Sequence, residues 1–478
     1  MGLGRVKSLP FEVIEGEEGS MSSRLVVVGG GAAGMSAASA ARRVDPALDI
    51  VVLEAGGYAA YGLCGLPYYL AGLVESADDL LAYPPSFFRE QRRIDLRLNA
   101  RVTQLDPQRQ TICYAQDGRE RRLGYHRLIV TAGGVPVRPP IPGLDDERVF
   151  TVRTLEDAIS LRSLLDAGRI GQVLVVGAGY VGLEMAEALT ARGSAVTVVE
   201  ALAQAMPNLD APVAALVEAE VRRRGVDLRL GTRLEKLARA GDRLVARIGG
   251  QQLSVDAVVL ATGVRPASSV AAAAGAATDQ AGALLVDESM RTSLPDVFAA
   301  GDCVATHHRV LGRPAFVPLG PAANKTGRVA GTVAAGGAAS FTGIVGTAVV
   351  KVFDLAVART GLTLTETLAE GLRAVATDAT GKSRAKYYPG TSPVHVRLVH
   401  TPGGRLLGAQ LVGAGDGVAK RIDPIAIALQ AGFDVGDLVA ADLSYAPPYA
   451  PVYDPVLLAA QAANAANAIA SQPNSLAV

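Results

Sequence analysis

Two glycine-rich segments constrain the fold of this chain more than any other feature of its sequence. Each follows a short apolar run, residues 25–28 before the first segment (29–34) and residues 172–176 before the second (177–182). A helical stretch and a second apolar run come after each segment. This order of elements predicts a strand, a tight turn, a helix and a strand, which is a βαβ unit. The chain is therefore predicted to contain two dinucleotide-binding domains.

The spacing of the glycines has a physical reason. The first glycine of such a loop permits a tight turn, the second lets the backbone approach a pyrophosphate, and the third lets helix and strand pack closely. The phosphates then meet free N–H groups at the start of the helix. A carboxylate about 20 residues further on accepts hydrogen bonds from ribose hydroxyls. The candidate nucleotide-binding residues are Gly29, Gly31, Ala32, Ala33, Gly34 and Glu54 in the first unit, and Gly177, Gly179, Tyr180, Val181, Gly182 and Glu200 in the second.

Glu200 also bears on the choice of cofactor. A carboxylate at this place favours the free 2′-hydroxyl of NADH and repels the 2′-phosphate of NADPH, which an arginine would accommodate. The sequence therefore favours NADH, with NADPH as the alternative donor.

Two similar segments mark the limits of the second unit. Residues 128–136 and 258–266 both run from apolar residues through a glycine into proline, and Gly263 in the later segment is a further candidate nucleotide-binding residue. This similarity predicts that the second domain is inserted into the first. The predicted organisation is a disordered leader (1–20), a first dinucleotide-binding domain in two parts (21–150 and 272–345), a second (151–271) and an α+β domain (346–460). The α+β domain is expected to contain one amphipathic helix near residues 419–431, and residues 461–478 are expected to be a fraying helix and a tail.

The composition excludes several classes of protein. The 46 basic and 46 acidic residues balance, so nothing indicates a nucleic-acid or membrane surface. No apolar run is long enough to span a bilayer. Three cysteines cannot form a disulfide framework, and the natural compartment is a reducing cytoplasm. No cluster of residues has the spacing of a metal site.

Cys64 lies close behind the first βαβ unit, without a second cysteine nearby. A lone thiol has to pair with something from outside or cycle through an oxidised form of its own. Pro67 is predicted to start a helix here, which would place Cys64 near backbone donors and a positive dipole end. Both would lower the pKa of the thiol and favour the nucleophilic thiolate.

Residues 292–302, which end at Gly301 and Asp302, resemble the second flavin-binding motif of the FAD-dependent pyridine nucleotide–disulfide oxidoreductases. The resemblance extends over nearly the whole chain. It implies an α/β fold with two Rossmann-like domains, like that of glutathione reductase, plus a C-terminal α+β dimerisation domain. It assigns FAD to the first glycine loop, to Gly301 and to Asp302, which would hydrogen-bond the ribitol, and it assigns NAD(P)H to the second loop. The protein is accordingly expected to be a homodimer.

Within that family the chain is similar to the single-cysteine branch. The two-cysteine branch has a second cysteine five positions on, where this chain has Tyr69. Peroxidases and water-forming oxidases carry a histidine in the first glycine loop, where this chain has Ala32. The loss of that imidazole weighs against peroxide chemistry.

Three motifs resemble those of coenzyme A–disulfide reductases: residues 64–69, 386–390 and 444–449. The resemblance implies that Tyr387 and Tyr445 reach the thiol across the dimer interface. The chain departs from the family at Ala60 and Leu63, where serine and asparagine are common, so a polar neighbour of the sulfur is lost. On the same resemblance Arg43 is a candidate for contact with coenzyme A phosphates, and Lys420 and Arg421 are further candidates.

The predicted function is reduction of a small-molecule disulfide by NADH through FAD and a mixed disulfide on Cys64, with coenzyme A disulfide as the predicted substrate. One alternative is an NADH oxidase or a persulfide or polysulfide reductase, with Cys64 as sulfenate or persulfide. Another is a flavin-binding redox sensor without significant turnover.

The remaining cysteines and a pair of histidines have simpler interpretations. Cys113 lies in an alternating segment and is predicted to be structural. Cys303 is predicted to pack beneath the flavin. His307 and His308 are expected in a loop at the surface or at the flavin edge.

Overall fold

The computed structural model describes residues 23–470, and the predicted leader (1–20) lies outside them. The first glycine loop connects a strand and a helix, as predicted. Up to residue 136 the elements are β1 (Arg24–Val28), α1 (Ala32–Val44), β2 (Asp49–Leu53), α2 (Leu66–Ala71), β3 (Asp95–Arg97), β4 (Arg101–Asp106), β5 (Thr111–Gln116), β6 (Arg119–Gly124), β7 (Arg127–Val130) and β8 (Gly134–Pro136).

The second βαβ unit begins at the tenth strand of the chain. Between residues 149 and 266 the elements are β9 (Val149–Phe150), α3 (Leu155–Asp166), β10 (Gln172–Val176), α4 (Tyr180–Ala191), β11 (Ala195–Val199), α5 (Ala211–Arg223), β12 (Asp227–Arg229), β13 (Leu234–Ala240), β14 (Arg243–Ile248), β15 (Gln251–Val255), β16 (Ala257–Leu260) and β17 (Val264–Pro266). Strands β12-β11-β10-β16-β9 form one parallel sheet in that order.

The chain then returns to the first sheet. The returning elements are α6 (Ser269–Ala273), β18 (Leu284–Leu285), β19 (Val297–Ala299), β20 (Val304–His308), β21 (Arg313–Ala315) and α7 (Gly320–Ala334). Strand β19 pairs with β7 and completes a parallel sheet in the order β19-β7-β1-β2-β3. Strands from both sides of the second unit therefore build one sheet, and β8 pairs with β17 where the chain leaves and comes back.

The first sheet is buried on both faces, which explains why β1 is apolar after Arg24. On one face Val27 packs with α1 and α7, and on the other Val26 packs with the sheet of β4, β5 and β6. Helices α1 and α7 approach closely because Gly327 and Gly331 lie directly against the α1 backbone, leaving no room for a Cβ.

The last part of the chain is a five-stranded antiparallel sheet, in the order β22-β23-β26-β25-β24, packed against helices. Its elements are β22 (Ala348–Val352), β23 (Leu355–Gly361), α8 (Leu364–Ala369), β24 (Val375–Lys382), β25 (Pro393–His400), β26 (Leu406–Ala414), α9 (Asp416–Lys420), α10 (Ile422–Ala431), α11 (Val435–Ala440) and α12 (Pro455–Ala470). The predicted fold class, two Rossmann-like domains and an α+β domain, is confirmed.

Two local expectations were wrong. His307 and His308 lie on strand β20 rather than in a loop, because residues 306–308 pair with β21. The single helix expected near 419–431 is two helices, α9 and α10, and Pro424, which has no N–H to donate, lies in the first turn of α10. From residue 461, where a fraying helix and a tail are expected, α12 continues to residue 470, and Ala463 is buried.

No helix within residues 23–470 has both the length and the apolar character needed to cross a membrane.

Candidate functional site

Both glycine loops have the backbone geometry that a pyrophosphate requires. Gly29 and Gly177 have φ angles of 103° and 106°, and each lies against the backbone at the end of a neighbouring strand, where a Cβ would collide. A Cβ on Gly31 or Gly179, in contrast, would meet no atom within 4 Å. The loops are therefore tightly folded at the first glycine and open at the second, where a ligand can reach the backbone.

The third glycine of each loop closes the turn from inside. A Cβ on Gly34 or Gly182 would overlap the carbonyl oxygen of the first glycine in the same loop. Helix α1 follows the first loop, and no acidic side chain lies in its first turn. Its free N–H groups can therefore receive a phosphate, and the first unit fits a dinucleotide such as FAD.

The two acids at the ends of the βαβ units make matching contacts. Glu54 accepts hydrogen bonds from the amides of Gly30 (2.6 Å) and Gly56 (2.7 Å). Glu200 accepts from the amides of Ala178 (2.8 Å) and Leu202 (2.9 Å). Each carboxylate thus binds the amide of the second residue of its own glycine loop, between the first two glycines of the motif. The predicted contact of both acids with a ribose stays a prediction.

Asp302 has a partner that the sequence did not suggest. Arg153, which precedes α3, forms an ion pair with Asp302 (3.0 Å between Nη2 and Oδ2) and donates a second hydrogen bond to the carbonyl of Gly134. Gly301 has a φ angle of 81° and lies against Ala33 of α1. The second flavin motif and the first glycine loop therefore meet at one place. Gly263 also has a positive φ angle, 94°, with open space beside it.

Cys64 is exposed and lies in a 3-10 turn, Leu63–Gly65, immediately before α2. Burial around the sulfur raises the pKa of the thiol, the negative charges of Glu184 and Asp302 raise it further, and Arg153 lowers it. The expectation of a lowered pKa was wrong in this structure. The dipole of the six-residue α2 is weak, whereas two acids and partial desolvation favour the neutral thiol.

Glu184 and Tyr68 are functional candidates that the sequence analysis missed. The Tyr68 hydroxyl donates a hydrogen bond to Glu184 (3.4 Å), and Glu184 lies on α4, two residues past the third glycine of the second loop. Burial and the neighbouring Glu187 raise the pKa of Glu184 to about 7, although the bond from Tyr68 lowers it. A carboxyl group with this pKa can take up or release a proton at neutral pH. The sequence signal that could have identified Glu184 is its place at the end of the pattern G-x-G-x-x-G-x-E, which spans residues 177–184.

Two variants should move the pKa of Cys64 in opposite directions. Glu184→Gln removes a negative charge and should lower this pKa. Arg153→Gln removes a positive charge, leaves Asp302 unpaired, and should raise it. The measurement is the rate of Cys64 alkylation by iodoacetamide against pH on the FAD-loaded protein. Equal pH profiles for both variants and the parent would contradict the assignment of these charges.

Tyr387 and Tyr445 are brought together by the structure. Their hydroxyl oxygens lie 3.5 Å apart, and both side chains are exposed. The two segments that carry them are joined by a hydrogen bond from the Ala385 amide to the Pro447 carbonyl. The hydrogen bond between the two tyrosine hydroxyls raises the pKa of Tyr445. The two hydroxyl groups are therefore already held together at the surface.

The three basic candidates, Arg43, Lys420 and Arg421, differ from one another and from the neighbouring Arg42 in what they contact. Arg42 donates to four backbone carbonyls and is occupied, whereas Arg43 is exposed and its side chain has no hydrogen-bond or ion-pair partner in the described part of the chain. Lys420 is 83% exposed and pairs weakly with Asp423. Arg421 is 11% exposed and is bound to Asp454 (2.8 Å). Arg421 thus has a structural role within the domain.

The other two cysteines have structural surroundings, and the predicted position of Cys303 beneath the flavin stays a prediction. Cys303 is fully buried in the core beneath the first sheet, where its sulfur faces the carbonyls of Val130 and Ala300. Burial raises its pKa to about 12. Cys113 lies on β5 in the middle of the three-stranded sheet. Cys64 is therefore the exposed thiol of the three.

Comparison with known families matches two parts of the chain. Residues 23–328 match the family described as pyridine nucleotide-disulphide oxidoreductase, and residues 347–455 match the dimerisation domain of the same family.

Individual relatives are similar over most of the chain. An NAD(P)H coenzyme A polysulfide/persulfide reductase of Pyrococcus horikoshii is 37% identical over 92% of this chain and 98% of its own length. A coenzyme A disulfide reductase of Staphylococcus haemolyticus is 30% identical over 89% of this chain and 96% of its own. Among solved structures, an NAD-dependent persulfide reductase from A. fulgidus has a TM-score of 0.89 at 40% identity, covering 92% of this chain and 83% of that one.

Proposed function

Because the chain belongs to the pyridine nucleotide-disulphide oxidoreductase family, we propose that it uses NADH to reduce coenzyme A disulfide through Cys64. It is an FAD-dependent NAD(P)H oxidoreductase, as its family implies. The observation that carries the proposal is the exposed thiol of Cys64, which lies close enough to Asp302, the acid of the second flavin motif, for the charge of Asp302 to raise the pKa of the thiol. Membership of the family and the resemblance to coenzyme A–disulfide reductases agree with the prediction made from the sequence.

The proposed reaction exchanges disulfides at one sulfur. The Cys64 thiolate attacks a sulfur of coenzyme A disulfide, so the substrate S–S bond breaks, a Cys64–coenzyme A disulfide forms, and one coenzyme A thiolate leaves. FAD, when bound, relays two electrons from NADH to this mixed disulfide. The second coenzyme A then leaves and the Cys64 thiolate is restored. In the overall balance, the hydride of NADH and one proton from solvent supply the two electrons and two protons that convert the disulfide into two coenzyme A thiols.

A side chain of this protein can pass the proton from solvent to the leaving thiolate. Tyr445, with its raised pKa, stays protonated at neutral pH and can donate to the leaving thiolate, while Tyr387 holds its hydroxyl in place. We propose that this pair serves Cys64 of the other subunit in a homodimer, as the resemblance implies. The dimerisation domain matched at residues 347–455 contains Tyr387 and Tyr445 and supports that arrangement.

We propose Arg43 and Lys420 as the cations that meet the phosphates of coenzyme A, because both are exposed and neither is strongly paired. Arg421, the third candidate, is already bound to Asp454. A reducing cytoplasm is the proposed location, because the thiol of Cys64 has to be regenerated in each cycle.

NADH should be preferred over NADPH by roughly tenfold or more in kcat/KM, because Glu200 and the neutral residues 201–203 offer no cation to a 2′-phosphate. Glu200→Gln should lower the ratio of kcat/KM for NADH to kcat/KM for NADPH, because it removes the repulsion between the Glu200 carboxylate and the 2′-phosphate of NADPH. The measurement is kcat/KM for both donors with the same acceptor. A parent enzyme that uses NADPH as well as NADH would show that Glu200 does not select the donor.

A second candidate function has a specific basis. The relatives described as persulfide reductases are more similar, at 37% and 40% identity, than the coenzyme A disulfide reductase at 30%. In that function Cys64 would attack the outer sulfur of a persulfide and would itself carry a persulfide until it is reduced.

One preparation can separate these functions. NADH oxidation is followed with coenzyme A disulfide, with coenzyme A persulfide, and with oxygen as the acceptor, and oxygen consumption is recorded in parallel. The proposal expects the highest kcat/KM with coenzyme A disulfide, and mass spectrometry of the untreated protein should find coenzyme A on Cys64. A higher value with the persulfide would establish the second candidate. Rates at background with every acceptor would favour the remaining alternative, a flavin-binding redox sensor without significant turnover.

A further inference from the structure

A cavity of about 630 Å³ lies where three segments of the chain meet. The turn between β20 and β21 (residues 309–312) forms one wall, residues 372–373 after α8 form the second, and the hairpin between β25 and β26 (residues 401–407) forms the third. The volume is that of a typical small-molecule site. None of the residues proposed above for FAD, NADH or disulfide reduction lines this cavity.

Each of the three walls contributes one arginine: Arg309, Arg373 and Arg405. No acidic residue lines the cavity. Within residues 23–470 the side chains of these three arginines have neither a hydrogen-bond nor an ion-pair partner. Three guanidinium groups that share a cavity repel one another, and an anion bound among them would remove that repulsion.

The acids near the cavity are already engaged. Glu370, just before the second wall, is paired with Arg313 at 2.5 Å. Asp434, whose backbone pairs with that of Arg405, accepts a hydrogen bond from the Asp437 amide and caps α11. The positive charges of Arg309, Arg373 and Arg405 are therefore not neutralised by these two acids, whereas the charge of the nearby Arg313 is neutralised by Glu370.

The walls also offer apolar surface, because Leu311, Leu372 and Leu407 line the same cavity. We propose that this cavity binds an organic phosphate, with the phosphate held by the three arginines and an apolar or aromatic body lying on the leucines. Guanidinium groups bind phosphate oxygens through paired, charge-assisted hydrogen bonds, which suits this arrangement. The cavity lies between the returning part of the first domain and the C-terminal domain, so a bound phosphate would contact both.

Calorimetry on the FAD-loaded protein, with NAD⁺ in excess to fill the second glycine loop, tests the proposal. The probes are phenyl phosphate and inorganic phosphate. Phenyl phosphate should bind more tightly than inorganic phosphate, and Arg373→Gln or Arg405→Gln should each weaken its binding roughly tenfold. Arg119→Gln, an exposed arginine on β6 outside the cavity, is the matched control and should bind as the parent does.

Equal affinity of the parent, the Arg373→Gln and Arg405→Gln variants and the control would overturn the proposal, as would no binding of phenyl phosphate to the parent. Loss of binding in the control to the same extent would point to diffuse electrostatic attraction and would also overturn it. The readout is binding heat rather than turnover. The result therefore stands whether or not coenzyme A disulfide proves to be the substrate.

Discussion

Cys64→Ser should lower coenzyme A–disulfide turnover by roughly a thousandfold or more, while NADH still reduces the bound flavin. A serine hydroxyl cannot attack a disulfide sulfur at neutral pH or hold coenzyme A in a mixed disulfide. The nucleotide loops do not involve this side chain, so NADH binding and flavin reduction should persist. The measurement pairs steady-state disulfide reduction with stopped-flow bleaching of the flavin by NADH.

Cys113→Ser is the matched control for this experiment. Cys113 lies in the middle strand of the β4–β6 sheet, and its replacement should leave turnover near that of the parent. Should Cys64→Ser retain turnover, Cys64 would not be the nucleophile, and the proposed reaction would be wrong even though the family would stand.

Asp210→Asn should lower the free energy of unfolding by about 3–5 kcal/mol, the cost of breaking a buried ion pair. Asp210 precedes α5, but its buried carboxylate bonds to the C-terminal domain instead of capping its own helix. It accepts hydrogen bonds from Arg397 (3.0 Å), Gln410 (2.7 Å) and the amide of Leu364 (3.1 Å). An asparagine would turn an NH₂ group or a weaker acceptor toward these donors and leave the Arg397 charge poorly compensated.

The effect of this substitution should depend on pH. Burial alone would raise the pKa of Asp210, but the bonds from Leu364, Gln410, Thr365 and Arg397 outweigh it and hold the pKa below its ordinary value. A carboxyl group with a lowered folded-state pKa stabilises the fold above its unfolded pKa of about 3.9, and this contribution is lost as the pH falls through the folded value. Urea unfolding curves of parent and variant should therefore differ most at pH 7 and converge in acid.

Asp416→Asn is the control for Asp210→Asn, because Asp416 is exposed at the start of α9 and has no side-chain hydrogen bond within the described residues. Its unfolding free energy should change by less than about 0.5 kcal/mol. An equally small change in Asp210→Asn would show that the two domains are not held together through this carboxylate.

The nucleotide-binding core was predictable because its requirements are local. The third glycine of each loop packs against the first, and the acids Glu54 and Glu200 bond to their own loops, so these requirements lie within one βαβ unit. The insertion was also readable, since the similar segments 128–136 and 258–266 include β8 and β17, which pair with each other.

The electrostatics of the thiol were not predictable in the same way. Glu184 and Arg153 act on Cys64 from positions 120 and 89 residues further along the chain, and only the folded arrangement places them near the sulfur. A rule based on Pro67 and a helix start gave the wrong direction for the pKa of Cys64, because it counted one local dipole and missed the burial around the sulfur and two distant carboxylates. His308 was misplaced for a similar reason, since its strand exists through pairing with β21.

The antiparallel pairing of β8 with β17 brings the entry and the exit of the inserted unit side by side. A segment whose two ends lie together can be replaced by another of its kind without rerouting the rest of the polypeptide. Evolution, or an engineer, could thus exchange the electron-donor module between these two anchor points and leave the flavin-binding half and its thiol unchanged. Grafting the equivalent module of an NADPH-using homologue at Pro136 and Val264 is the natural starting place.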